Sequence, residues 1–96
     1  MATSVEFIEY VCGQIGNDFA VRYKKMFGEY MVYANDKPIL LVCDNTVYVK
    51  LLDAVRDDLA AAPTGIPYKG AKEHYILDID NSALAKSVAQ KLEKVT

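Results

Sequence analysis

The chain has 96 residues, 52% of them apolar and 25% charged, enough for one small core spanning 1–96 and not the composition of a disordered segment. With 11 Lys and Arg against 13 Asp and Glu, the formal charge is −2, which excludes a strongly basic nucleic-acid binder whose affinity rests on clustered cations. Apolar runs reach about six residues, against roughly 20 for a membrane span, and the opening Met1 to Glu6 has no signal-peptide pattern, so a cytoplasmic domain without membrane contact is expected.

In chain order, the first expected element is an amphipathic helix. Thr3 and Glu6 have capping-box spacing. Val5, Ile8, Val11, Cys12 and Ile15 form an apolar stripe at three- and four-residue steps. Gly16 and Asn17, which tolerate a left-handed backbone, supply the stop. Residues 20–51 are dominated by Val, Ile, Leu and Tyr, broken at Phe27-Gly28, Asn35-Asp36 and Asp44-Asn45. The Asn/Asp pairs suit two-residue hairpin loops, and Gly28 permits a tight turn. Four antiparallel strands are predicted at 21–26, 29–34, 37–43 and 46–51, with Pro38 near a strand start.

A second helix is predicted over 53–61, capped by Asp53, anchored by Val55 and Leu59 and ended by Pro63 and Gly65. Residues 63–72 form a loop, and 74–79 a fifth strand with Tyr75, Leu77 and Ile79 on one side. Asp80, Asn81 or Ser82 then caps a last helix whose stripe is Leu84, Val88, Leu92 and Val95. The expected fold is an α+β two-layer sandwich, an antiparallel sheet of about five strands with three helices in the order α-β-β-β-β-α-β-α.

Two-residue loops in both hairpins pair Ala34 with Lys37 and Cys43 with Thr46, and alternation then sorts the strands into two faces. Met31, Tyr33, Leu40, Val42, Val47, Val49 and Leu51 are expected to meet the helices. The opposite face collects Tyr30, Val32, Ile39, Leu41, Cys43, Thr46, Tyr48 and Lys50. A solvated sheet face is ordinarily polar, and this one is aliphatic and tyrosine-rich. Either the chain's own helix or loop covers it, or it meets a protein partner, or it forms a ligand groove. Tyr30, Val32, Ile39, Leu41 and Tyr48 are the candidate interaction residues.

No catalytic constellation is visible. His74 is the only histidine and supplies neither a zinc set nor a triad. Asp78 and Asp80 have too few further oxygen ligands near them for a cation, and Asp80 suits a helix cap. Ser4, Ser82 and Ser87 lack a nucleophile elbow. Cys12 and Cys43 have no CxxC spacing and are expected as buried thiols. No cofactor or metal is implied. Arg22, Lys24, Lys25, Lys69 and Lys72 are the candidate anion or nucleic-acid contacts, beside Tyr30 and Tyr48 as stacking surfaces. With aliphatic neighbours and a negative net charge, protein contact is preferred to base stacking.

Val21-Arg22, then Met26-Phe27-Gly28-Glu29-Tyr30 and Tyr33, resemble the signature of the TfoX/Sxy N-terminal domain. Asp44-Asn45-Thr46-Val47-Tyr48-Val49-Lys50 resembles that family's second hairpin, and Pro67-Tyr68-Lys69-Gly70-Ala71-Lys72 its later loop. The resemblance implies an α/β two-layer domain without catalytic residues. TfoX/Sxy proteins are bacterial regulators of natural competence that act on transcription, in some cases with the cyclic-AMP receptor protein. Full-length members carry a second, helical domain, so this chain is expected to be a stand-alone first domain. The expected role is a non-enzymatic module working by association with a protein or a second copy, with transcription machinery among the partners implied.

Overall fold

The computed structural model describes residues 3–16, 19–26 and 29–96; the roles assigned above to Asn17 and Gly28 lie outside these. Two tight turns set the frame. Asn35, Asp36, Asp44 and Asn45 all have positive φ, between 51° and 66°, the twisted hairpin geometry that Asn and Asp tolerate best. These turns join β2 (Glu29–Ala34) to β3 (Lys37–Cys43) and β3 to β4 (Thr46–Lys50). β1 (Val21–Met26) pairs with β2. Further on, β5 (Thr64–Gly65) and β6 (His74–Ile76) extend the sheet, which has six strands in the order β1-β2-β3-β4-β6-β5, antiparallel throughout.

The helices are α1 (Val5–Ile15) and α2 (Ser82–Val95). The expected three-helix, five-strand order is therefore corrected to two α-helices and six strands among the described residues. The segment predicted as a middle helix forms a 3-10 helix at Asp53–Val55 and then turns. Asp57 and Asp58 disfavour a helix interior, and a segment this short does not sustain an α-helix by itself. Val55 and Leu59 still reach the core. β5 is too short to carry a periodic signal; the amide of Ile76 ties the loop to β6 by donating to the Pro63 carbonyl at 2.8 Å.

The cap of α1 is Ser4, whose hydroxyl accepts from the Phe7 amide at 3.2 Å, so the Thr3–Glu6 box is replaced. Thr3 instead lies buried among the strands, donating to Glu29 Oε1 at 3.2 Å and accepting from the Asn45 amide at 3.2 Å. Asn45 Oδ1 in turn accepts from the Ser4 amide. The residues just before α1 are thus sewn to the β3–β4 turn. Asn81 caps α2 by accepting from the Leu84 amide at 3.1 Å.

Ile8, Val11 and Ile15 of α1 and Ala85, Val88, Ala89 and Leu92 of α2 pack with Val32, Leu40, Val42, Val47 and Val49 in one core on one face of the sheet. Val5 and Val95, assigned to the helix stripes, are exposed instead. Lys37 fixes the far end of α2, donating to the Glu93 carbonyl at 3.0 Å and pairing with its carboxylate at 3.1 Å. Tyr10 fixes α1 to the segment before α2 through a 2.6 Å bond to Asp80.

Candidate functional site: the open face of the sheet

The face assignment of β2 is overturned by one extra residue. Ala34 pairs with Lys37 and Tyr33 with Pro38, but Val32 then pairs with Leu40, not Ile39. Pro38 offers no amide to the ladder, and a bulge beside it lets Ile39 and Leu40 both turn inward. Beyond this point the parity of β2 relative to β3 is inverted. Tyr30, Val32 and Ile39, expected on the outer surface, are buried at 4%, 0% and 6% exposure among the core residues. Met31 and Tyr33, expected against the helices, lie on the other side. Leu41 and Tyr48 keep the outer position assigned to them.

The resulting outer face has a continuous cross-strand row. Lys24 pairs with Met31, Met31 with Leu41, Leu41 with Tyr48, and Tyr48 with Ile76, and directly paired residues share a face. The four central side chains are half-buried. On one side of the row Arg22 pairs with Tyr33 and lies over its ring, 4.5 Å from the centroid. On the other, Lys50 pairs with His74. Neither α-helix packs on this face. Pro38 is the sequence hint of the bulge that puts Met31 and Tyr33 here, whereas Ile76 follows only from its pairing with Tyr48.

At the β1–β3 end the face dips into a hollow of about 500 Å³ lined by Met26, Glu29, Tyr30, Met31, Leu41, Cys43 and Tyr68. Tyr68 comes from the loop between β5 and β6, where a turn at Gly70 (φ 88°) closes with the Ala71 amide donating to the Tyr68 carbonyl. Burial, then the nearby Glu29 and Asp44 carboxylates, push the Cys43 thiol up to about 11, so it is protonated at neutral pH and a poor nucleophile. Cys12 is also raised, chiefly by burial. Glu29 Oε1 is occupied by Thr3 and by the Asp44 amide at 3.1 Å.

The basic candidates are not gathered on one surface. Lys24 belongs to the open face, but Lys25 pairs with Tyr30 and belongs to the helix face. Arg22 is paired with Asp36 at 3.0 Å. Lys69 and Lys72 are exposed in the β5–β6 loop. His74 stands edge-on to Tyr48 at 6.4 Å, and its Nδ1 donates to the Lys72 carbonyl at 2.7 Å. Asp80 is engaged by Tyr10, and Asp78 accepts from the Asp80 amide. Among the described residues no group of three or more His, Cys, Asp or Glu side chains is placed to hold a metal ion, and no helix is long and apolar enough to cross a membrane.

The family model of the TfoX N-terminal domain matches residues 15–90. The chain is also 37% identical, over 78 residues, to an uncharacterized 12.7 kDa protein in the trpE 5′ region of Spirochaeta aurantia; the match covers 81% of this chain and 68% of that protein.

Proposed function

The chain belongs to the TfoX N-terminal domain family, and from that premise we propose that it is a non-catalytic, cytoplasmic module that acts by protein association through the open face of its sheet, in the regulation of transcription. The observation that carries this reading is the Met31–Leu41–Tyr48–Ile76 row. Contiguous apolar surface of this kind marks interaction sites. Tyr, Met and Arg, which this face holds in Tyr33, Tyr48, Met31 and Arg22, are the residue types enriched at interfaces.

The partner that fits the row is a second copy. Its one charge, Lys24, stands at one end, so two rows stacked antiparallel keep the two lysines apart and set apolar centre on apolar centre. A stable interface takes about 800 Å² from each partner, a modest share of the 5688 Å² this domain exposes. Leu41 lies at the middle of the row. Placing a carboxylate there buries an unpaired charge in the association surface while leaving the helix-side core untouched. Sedimentation velocity of the wild type and Leu41→Asp tests the reading: a dimer that the substitution converts to monomer supports it. A monomeric wild type at high concentration removes it.

A further inference from the structure

We infer that β1 is a docking edge for an extended acidic segment of another protein, which joins the sheet as an additional antiparallel strand. Among the described residues β1 stands at the end of the sheet with β2 as its sole neighbouring strand, and Arg22, Tyr23, Lys24 and Lys25 along it are all exposed. No further strand among the described residues pairs with its outer edge. An edge strand of this length presents a row of backbone donors and acceptors to any chain that can lie beside it.

The side chains state which chain that is. β1 carries three cations and no acid. Lys24 and Lys25 form no ion pair among the described residues, and the Arg22–Asp36 pair, with side chains 54% and 84% exposed, is readily exchanged. A second β1 laid against the first sets cations against cations, so the edge excludes its own copy, as lysines on edge strands commonly do. The same charges attract a carboxylate-bearing strand.

Alternation sharpens the motif. Arg22 and Lys24 share the open face with Tyr33 and Met31, whereas Tyr23 and Lys25 share the helix face with Val32 and Tyr30. Read along an antiparallel partner, the positions opposite Lys25, Lys24, Tyr23 and Arg22 are acid, acid, apolar, acid. Cations on both sides of the edge fit a strand lying in the plane of the sheet. A nucleic-acid backbone tracking over one face meets only some of them.

The test uses the whole domain and the acetylated, amidated peptide Thr-Glu-Glu-Val-Glu-Thr. Amide exchange followed by NMR is expected to show new protection confined to β1. Titration is expected to weaken about tenfold or more in Arg22→Glu/Lys24→Glu/Lys25→Glu, three exposed positions, with the fold checked by circular dichroism. N-methylation of alternate peptide amides keeps the charge and is expected to abolish β1 protection. The proposal is overturned by no binding at millimolar peptide, by equal binding of the N-methylated peptide, or by stronger β1 protection from a thymidine oligonucleotide. Leu41→Asp is expected to bind the peptide normally, so failure here is distinguishable from failure of the open-face reading.

Discussion

Val32 sits opposite Leu40 across the β2–β3 hairpin, with Ile39 displaced as the extra residue, and that one offset decides which side of β2 meets the helices. Val32 is fully buried while its neighbour Met31 is half-buried on the open side. Val32→Ala is therefore expected to lower unfolding free energy by about 2 kcal/mol, through lost burial and a residual cavity. Met31→Ala is expected to cost about 1 kcal/mol or less, as at most surface positions. Urea unfolding monitored by circular dichroism measures both, and the reverse ranking contradicts the register.

Thr3 joins three chain segments although it precedes the first helix. Its hydroxyl serves Glu29 and the Asn45 amide at once. Thr3→Val keeps the shape and removes both bonds; Glu29 Oε1 keeps the Asp44 amide, and the loss of two part-buried hydrogen bonds costs about 1 kcal/mol. Unfolding midpoints within error of wild type contradict this role.

Asp58 fastens the turn after the 3-10 helix to α2, accepting from Lys91 Nζ at 2.7 Å and Ser87 Oγ at 2.9 Å. The Lys91 bond chiefly, with help from Ser87 and the lysine's charge, holds its carboxyl below the usual range against the opposing effect of burial. The folded state thus binds this proton less tightly than the unfolded chain. Its contribution to stability is complete above the unfolded pKa of about 4 and is lost as pH falls through the depressed folded value. The advantage of wild type over Asp58→Asn in thermal unfolding is expected to be full at pH 7 and to shrink under acid. A gap independent of pH contradicts the assignment.

Much of the fold was legible because its signals are local. Asn35-Asp36 and Asp44-Asn45 announce positive φ, and with it the two hairpins, through side chains that tolerate it. The stripe Ile8, Val11, Ile15 announces α1 by period. The partition of the sheet into faces was not legible in the same way. Alternation carries an assignment along a strand only while the ladder is unbroken, and a single bulge reverses it for every residue beyond. Ile39 and Leu40, both buried, look like any apolar pair in sequence. The open row was consequently half recognised: Leu41 and Tyr48 were placed there, while Met31 and Ile76 emerge only from the pairing across strands. The 3-10 helix at Asp53–Val55 escaped prediction because two apolar anchors satisfy an α-helical spacing without fixing the backbone between them.

The association surface is tested most directly by sedimentation velocity on the wild type across a hundredfold concentration range, beside Leu41→Asp and Val95→Asp. Val95 is exposed at the end of α2, away from the row, and controls for added charge. The account predicts a concentration-dependent dimer for wild type and Val95→Asp, and a folded monomer for Leu41→Asp. A wild type that stays monomeric throughout, or a dimer that Leu41→Asp leaves intact, contradicts it.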